Sequence, residues 1–206
     1  MRTNTTQFDV VLFDLGGVLV ELPSLQTLLT STHIPNGAEA VQQYWLTSPI
    51  VQTFETGKSE PEQFADALIS ELALPVDRST FLEAFTRWPK GLFPGALDLI
   101  KALPTHMIRA TLSNTNILHW PRLMNEMGLA DLFDYHFPSH LTENVKPDKK
   151  AFEAVLKKMD LYPDTVLFLD DNQLNVDTAN ALGIQAYLVH GVEETREVLE
   201  LTRILT

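Results

Sequence analysis

Short apolar runs recur along the chain and predict the strands of a parallel sheet. Five runs of strand length are bounded by turn residues, at positions 8–13, 107–112, 135–137, 165–169 and 185–189. From the second run onward they alternate with segments of helical periodicity, at positions 95–102, 117–126, 149–159, 174–182 and 193–205. Such alternation is typical of βαβ units. The pattern therefore predicts an α/β fold built around a parallel sheet.

A long helical stretch separates the first predicted strand from the second. Residues 21–90 are helical in pattern throughout, and Ser59 with Glu62 has the spacing of a capping box before the apolar positions Phe64 and Leu68. About 70 residues is too long for a loop and enough for a small helical bundle. We therefore expect a core formed by residues 1–20 and 91–206, with a helical cap domain inserted at residues 21–90.

Polar side chains stand where the predicted strands end. They are Asp14, Ser113, Asn114, Lys146, Asp170 and Asp171. The carboxyl edge of an open parallel sheet is where α/β folds place their chemistry. In chain order these residues offer a nucleophile, hydrogen-bond donors, a cation and a pair of metal-binding carboxylates.

Each of these residues has a structural interpretation beside the chemical one. Asp14 is compatible with a nucleophile that forms an acyl-phosphate, with a metal ligand or with an ordinary strand-end aspartate. Ser113 and Asn114 can hydrogen-bond phosphoryl oxygens or cap the next helix. Lys146 lies just before a helix start, where an ammonium and backbone N–H groups converge on an anion. The adjacent carboxylates of Asp170 and Asp171 repel each other unless protonation or a cation relieves them, and Mg²⁺ fits such a pair.

Composition excludes several classes of function. The chain has 206 residues, with 27 Asp and Glu against 15 Lys and Arg, and a formal net charge of −12. Such an acidic chain is a poor partner for nucleic acid or an anionic membrane. The absence of cysteine excludes disulfides, thiolate metal sites and a Cys nucleophile. Because no signal-peptide pattern and no apolar run of roughly 18 residues occurs, we expect a cytoplasmic protein. The pattern does not predict an oligomeric state.

Taken together, these motifs resemble those of the haloacid dehalogenase-like hydrolase superfamily. They occur as FDLGGVL, LSNTN, KPD and FLDDNQLNV, in the family's order. The resemblance implies a Rossmann-like sheet of order 5-4-1-2-3 and a helical C1 cap that closes over the site. The cap segment FETGKSEPEQFADAL is similar to that of the branch containing the phosphatase domain of soluble epoxide hydrolases and bacterial glucose-1-phosphate phosphatases.

The resemblance also implies a role for each site residue. Asp14 would be the nucleophile and a Mg²⁺ ligand, while Ser113 and Lys146 would bind and neutralise the phosphoryl group. Asp171 would be the other main carboxylate on Mg²⁺, with Asp170 assisting. The implied activity is a magnesium-dependent phosphomonoesterase that forms an aspartyl-phosphate. Its expected partner is a small phosphorylated metabolite, such as a hexose 1-phosphate.

Gly16 departs from the pattern of most phosphatases in this superfamily. Those enzymes carry a second Asp two residues after the nucleophile, whose side chain is the general acid and base and whose backbone carbonyl binds Mg²⁺. The backbone carbonyl of Gly16 can still bind Mg²⁺, but the side chain that would donate the proton is missing. General acid–base catalysis typically contributes about 10²- to 10⁴-fold to the rate. The sequence therefore predicts a stronger dependence on leaving-group acidity, which favours sugar 1-phosphates.

Two alternatives stay open on the sequence. One is a non-catalytic binding or regulatory protein that kept the fold after losing its acid at Gly16. The other is a 2-haloacid dehalogenase, which would also use Asp14 but needs no metal. Dehalogenases usually carry a cap arginine, whereas this chain has no Arg or Lys between Arg2 and Lys58.

Overall fold

A five-stranded parallel sheet forms the centre of the molecule, in a computed structural model that describes residues 7–25 and 37–205. The strands are β1 (Val10–Phe13), β2 (Val20–Glu21), β3 (Gly91–Leu92), β4 (Ile108–Ser113), β5 (Tyr135–Pro138), β6 (Val166–Asp170) and β7 (Gln185–Leu188). The sheet order is β5-β4-β1-β6-β7, with every neighbouring pair parallel. Numbering these five strands along the chain and reading from the β7 edge gives 5-4-1-2-3. The predicted fold class and strand order are confirmed.

Alternating apolar residues of β1 fill both faces of the sheet. Val11 and Phe13 belong to one core cluster, and Val10 and Leu12 belong to the other. A parallel sheet covered by helices on both faces needs such continuous apolar strands. Phe13 pairs with Thr111 of β4 and Leu169 of β6. This register places the carboxyl ends of the three central strands side by side.

The described helices fall into two groups. They are α1 (Gly37–Thr47), α2 (Pro49–Glu55), α3 (Pro61–Glu71), α4 (Arg78–Thr86), α5 (Ala96–Ala102), α6 (Ser139–Thr142), α7 (Lys149–Met159), α8 (Gln173–Ala181) and α9 (Gly191–Leu201). Helices α1 to α4 lie between β2 and β3, and the others accompany the sheet. None of the helices in the described ranges is long and apolar enough to cross a membrane.

Aromatic packing holds the inserted helices together as a third apolar cluster. The rings of Phe54 and Phe64 stack with centroids 4.2 Å apart, and Trp45 lies 5.8 Å from Phe85. The antiparallel pair β2 and β3 lies at the two ends of this insert. The exact division at residues 20/21 and 90/91 stays a prediction.

The predicted helix at residues 117–126 is wrong in type and extent. The segment contains a π-helix at Arg122–Glu126, and the N–H of Met127 donates to the carbonyl of Arg122 five residues earlier. The guanidinium of Arg122 also donates to the carbonyls of Arg87 and Pro89, at the exit of the insert. The periodicity of the sequence does not reveal such long-range hydrogen bonds. In the structure they occur at the residue where the π-helix begins.

The predicted capping box at Ser59 is displaced by one residue. Helix α3 begins at Pro61, and its N-cap is Glu60, whose N–H donates to the Gln63 side chain at 3.1 Å. Proline favours the first helical position because its missing N–H would be unpaired there anyway. The residue before Pro61 therefore becomes the cap, and the Ser59 hydroxyl makes no hydrogen bond.

His119 connects the sheet side of the molecule to the insert. Its Nε2–H donates to the carbonyl of Phe85 at 2.7 Å, which leaves Nδ1 to accept from the amide of Asn116 at 3.1 Å. The pKa of His119 is lowered to about 4, mainly because burial disfavours the charged imidazolium; the hydrogen bond to the Phe85 carbonyl opposes this fall and the charge of Arg122 adds to it. The imidazole is therefore neutral when the chain is folded at neutral pH.

The protonation of His119 predicts an acid sensitivity of folding. An unfolded histidine takes up its proton near pH 6.5 and folded His119 near pH 4, so acidification through this window favours the unfolded chain. Between pH 7 and pH 4 the parent should lose about 3 kcal/mol more stability than His119→Gln, which cannot take up that proton. Urea unfolding of both proteins at several pH values measures this. Parallel pH dependences would contradict it.

Candidate active site

The fold brings the predicted site residues to one edge of the sheet. Asp14 follows β1, Ser113 and Asp170 are the last residues of β4 and β6, and Asp171 comes next. Carboxylate oxygens of Asp14, Asp170 and Asp171 all lie within 4.8 Å of one another. Residues far apart in the chain therefore form one cluster, as the parallel register requires.

Lys146 lies inside this cluster as a buried cation. Its Nζ is 2.9 Å from Oδ1 of Asp14 and 2.6 Å from Oδ2 of Asp170. The ammonium also lies 5.5 Å from the ring centre of Phe168. Burial disfavours the charged ammonium, but the two carboxylates outweigh it and raise the pKa of Lys146. The lysine is therefore charged in the folded protein.

Asn114 holds the backbone of Lys146 from the end of β4. Its Nδ2 donates to the Lys146 carbonyl at 2.9 Å, and its Oδ1 accepts from the Lys146 N–H at 2.8 Å. The helix-capping alternative belongs to Asn116, whose Oδ1 accepts from the N–H groups of Leu118 and His119. Asn114 thus positions the lysine, and its contact with a substrate stays a prediction.

Asp170 is fully buried and has several hydrogen-bond donors. The Asn172 N–H donates to its Oδ1 at 2.8 Å, and Nδ2 of Asn175 donates to Oδ1 at 2.9 Å and Oδ2 at 3.1 Å. Asn172 also caps α8 through its side chain, which accepts from Leu174. Because Lys146 takes up Oδ2 as well, Asp170 is the most saturated carboxylate of the three.

Asp14 and Asp171 carry the unfavourable electrostatics of the cluster. Burial raises the pKa of Asp14 to about 7; Lys146 opposes this rise, and the neighbouring Asp170 and Asp171 add to it. Burial likewise raises the pKa of Asp171 to about 6, and the charge of Asp170 adds to the rise. Three crowded carboxylates facing one ammonium are an arrangement that a divalent cation with oxygen ligands would relieve.

The two glycines after Asp14 differ in what they require. Gly17 has φ of 70°, and a Cβ there would overlap Oδ2 of Asp171. Gly16 lies outside the positive-φ region, and a Cβ there would meet the mobile end of Leu22 at 2.5 Å. Gly17 is therefore needed so that the loop can approach Asp171, whereas Gly16 is not required by backbone conformation.

Two adjoining cavities lie over this edge of the sheet, beneath the inserted helices. The larger, of about 420 Å³, is lined by Lys146, Asp171 and Asn175 on the sheet side. The smaller, of about 50 Å³, is lined by Gly16 and Ser113. Five residues line both cavities: Leu22, Trp45, Glu55, Trp88 and Asn114. The insert therefore supplies aromatic walls and one carboxyl group to the site.

Sequence reasoning missed two of the residues around this site. The buried Ser139 hydroxyl accepts a hydrogen bond from the N–H of Thr115 at 2.9 Å and donates one to the Thr115 carbonyl oxygen at 2.8 Å. These two bonds connect α6 to the loop after β4. Glu55 at the end of α2 lies inside the quoted cap segment, but nothing in its spacing indicates that it faces the core. Only the packing of α2 against the core reveals it.

Comparisons with known proteins agree with this geometry. The profile of the haloacid dehalogenase-like hydrolases matches residues 8–183. A sesquiterpene phosphatase of Aspergillus oryzae is 30% identical over 97% of this chain and 98% of its own length. A phosphoglycolate phosphatase of Pseudomonas aeruginosa is 28% identical over 93% of this chain and 73% of its own.

Solved structures share the fold. A HAD family enzyme of Bacteroides thetaiotaomicron, in complex with magnesium and inorganic phosphate, superposes with a TM-score of 0.75 at 23% identity, over 93% of this chain and 98% of that one. A HAD-like family hydrolase from Porphyromonas gingivalis gives a TM-score of 0.78 at 23% identity, over 96% of this chain and 98% of that one. With a family match that covers all four motifs, the chain belongs to the haloacid dehalogenase-like hydrolases.

Proposed function

We propose that the protein is a magnesium-dependent phosphomonoesterase that acts through an aspartyl-phosphate on a small phosphorylated metabolite. The single observation that carries this proposal is the cluster in which Asp14 lies 2.9 Å from the Lys146 ammonium and beside Asp171. A carboxylate nucleophile, a cation for the phosphoryl oxygens and a metal-binding carboxylate are the parts that this reaction needs. The phosphatase names of two relatives support the same class.

The proposed roles follow the chemistry of each group. One carboxylate oxygen of Asp14 attacks phosphorus and becomes the bridging atom of an acyl-phosphate. Lys146 neutralises the phosphoryl oxygens, and Ser113 at the end of β4 donates a hydrogen bond to them. Asn114 keeps Lys146 in place through its two backbone hydrogen bonds.

Mg²⁺ would be held by Asp14, Asp171 and the Gly16 carbonyl, with Asp170 assisting. The donors suit a hard cation, since carboxylate and carbonyl oxygens are the ligands that Mg²⁺ prefers. Bound there, the ion supplies charge neutralisation to the phosphoryl group and to the crowded carboxylates. Of the two adjacent carboxylates, Asp171 is the better candidate for the metal ligand, because Asp170 already accepts hydrogen bonds from Asn172, Asn175 and Lys146.

The two alternatives are less well supported by the site. A dehalogenase needs no metal, yet here three carboxylates crowd together around one ammonium. A purely binding protein would have no use for the raised pKa values of Asp14 and Asp171, which cost stability at neutral pH. Membership of the C1-capped branch also belongs to the proposal, supported by the insert between β2 and β3.

Within the phosphomonoester class we propose a sugar phosphate, such as a hexose 1-phosphate. The larger cavity of about 420 Å³ has room for a hexose, and the partly exposed Trp88 offers a flat face on which a sugar ring can pack. Gln52 lines the same cavity and can hydrogen-bond hydroxyl groups. Lys146 is the sole Lys or Arg among the described residues that line the two cavities, which disfavours a bisphosphate.

The nucleophile is tested with Asp14→Asn. This substitution removes the attacking oxygen and a metal ligand with little change of shape, so hydrolysis of p-nitrophenyl phosphate should fall by at least about 10³-fold. Excess chelator should abolish the parent's activity in the same assay, and added Mg²⁺ should restore it. Undiminished turnover in Asp14→Asn, or in the parent with excess chelator, would contradict the proposed mechanism.

The division of labour between metal and phosphate binding is tested with Asp171→Ala and Lys146→Ala. The heat of Mg²⁺ binding should vanish in Asp171→Ala, whereas Lys146→Ala should still bind Mg²⁺ and lose turnover. Removing Lys146 leaves the buried carboxylates of Asp14 and Asp170 without their cation, so that variant should also lose about 3–5 kcal/mol of stability. An unchanged Mg²⁺ titration in Asp171→Ala contradicts its role as a ligand.

The substrate class is tested with a panel of phosphate esters. We expect kcat/KM to be highest for hexose 1-phosphates, with phosphoglycolate and a sesquiterpene phosphate as the comparison set suggested by the names of two relatives. Trp88→Ala should raise KM for the sugar more than for p-nitrophenyl phosphate, because the wall that packs on the ring is lost. A best substrate of another class would reject the sugar proposal and leave the phosphatase proposal standing.

A further inference from the structure

The reaction proposed above needs a proton donor that position 16 does not provide. Breaking the ester bond leaves an alkoxide unless an acid protonates the departing oxygen. Gly16 has no side chain, and the space beside its Cα is taken by the end of Leu22. Another group near Gly16 must supply the proton if alkyl phosphates are substrates.

Glu55 is the carboxyl group of the insert that reaches this place. It lines the small cavity together with Gly16 and Ser113, and the large cavity together with Lys146 and Asp171. It therefore lies where the two cavities join, on the side of the site opposite the sheet. A phosphoryl group bound by Lys146 and Ser113 would lie beside this junction, because Lys146 lines the larger cavity and Ser113 lines the smaller one.

Neighbouring residues hold Glu55 over the core. Phe54, the preceding residue, is buried in the aromatic cluster of the insert. Two residues later, Gly57 has φ of 71°, and a Cβ there would overlap the backbone carbonyl of His140 in α6. The end of α2 is thus packed against the core by a contact that only glycine allows, and this contact sets the position of Glu55.

The surroundings of Glu55 suit a carboxyl group that exchanges a proton. The indole N–H of Trp45 donates to its Oε1 at 3.4 Å, which orients the group. Burial raises the pKa of Glu55 to about 7, while the Trp45 hydrogen bond and the charge of Lys146 oppose the rise. Both protonation states are therefore accessible near neutral pH, which is the condition for acid and base roles in one cycle.

We propose that Glu55 is the general acid and base of the reaction, contributed by the insert in place of the carboxylate that position 16 lacks. This inference rests on the proposed phosphatase function and adds a catalytic residue to it. The roles proposed above for Ser113, Asn114 and Lys146 leave none of them to give a proton to the ester oxygen. His119 also lines the small cavity, but both of its ring nitrogens are already hydrogen-bonded.

The proton balance closes over two steps. In the first, an Asp14 oxygen bonds to phosphorus, the bond from phosphorus to the ester oxygen breaks, and Glu55 gives its proton to that oxygen, releasing the alcohol. In the second, a water oxygen bonds to phosphorus, its proton passes to the Glu55 carboxylate, and the bond to Asp14 breaks. Hydrogen phosphate leaves, and both Asp14 and Glu55 return to their starting forms.

This role of Glu55 changes what the missing carboxylate at position 16 implies about the substrate. If the acid comes from the insert, a missing carboxylate at position 16 no longer selects esters with acidic leaving groups. The preference for hexose 1-phosphates then rests on the cavity walls alone. The dependence on leaving-group acidity should appear in a Glu55 variant instead of the parent.

The test compares Glu55→Gln with the parent on a series of phosphate esters. The variant can still accept from Trp45 but cannot donate an acidic proton. For alkyl phosphates kcat/KM should fall by about 10²- to 10⁴-fold, and for p-nitrophenyl phosphate far less, because nitrophenolate departs without a proton. The plot of log kcat/KM against leaving-group pKa should therefore be steeper for the variant. Glu62→Gln, an exposed carboxylate on α3, is the matched control and should keep the parent's slope.

A second measurement addresses the base step. With p-nitrophenyl phosphate, Glu55→Gln should release one equivalent of nitrophenol rapidly and then turn over slowly, because hydrolysis of the aspartyl-phosphate has lost its base. A merely structural defect would lower the burst amplitude instead. Gly16→Asp combined with Glu55→Gln should restore the parent's slope, since the backbone at position 16 accepts a side chain once Leu22 moves.

The outcomes separate this inference from the function on which it rests. If the parent hydrolyses esters through Asp14 and the slope is the same in Glu55→Gln, Glu55 is not the acid and the phosphatase stands. If the parent hydrolyses no phosphate ester, both proposals are overturned. A steeper slope with a full burst in Glu55→Gln, and neither change in Glu62→Gln, establishes the role.

Discussion

The buried ammonium of Lys146 is the interaction on which the site depends. The carboxylates of Asp14, Asp170 and Asp171 crowd the edge of the sheet, and Lys146 contacts Asp14 and Asp170 at 2.9 Å and 2.6 Å. Burying such charges is costly, and mutual attraction offsets the cost only when the remaining hydrogen bonds are satisfied. Asn172 and Asn175 meet this requirement at the Asp170 carboxylate. A divalent cation with oxygen ligands would relieve the excess of negative charge that remains.

The crowding of these carboxylates also accounts for the conformation of the loop after β1. Asp14 must stay near the lysine while Asp171 approaches the same loop from β6. Gly17 permits the approach because it has no side chain in the space that the Asp171 carboxylate occupies, and because its positive φ is easily adopted by glycine. The backbone conformation of Gly16 does not require glycine, and a Cβ there would meet only the end of the flexible Leu22 side chain, so the missing carboxylate is mainly a chemical difference.

The insert contributes to the site by packing and not by sequence proximity. Its aromatic cluster holds Trp45 and Phe54 in place, and His119 and Gly57 fasten it to the sheet side. Glu55 reaches the cavities as a result. The position of the insert over the site therefore depends on contacts between residues that are far apart in the chain.

The sequence by itself predicted the parallel sheet and the set of residues at its carboxyl edge, and the resemblance of its motifs to a known family implied the strand order. Buried strands read as continuous apolar runs, and the polar residues that end them, from Asp14 to Asp171, stand out against that background. Only the tertiary structure decided the rest: the π-helix at Arg122–Glu126, the pairing of Asn114 with the Lys146 backbone, and the placement of Glu55. These features arise from contacts between residues distant in the chain, and neither helical nor strand periodicity carries information about such contacts.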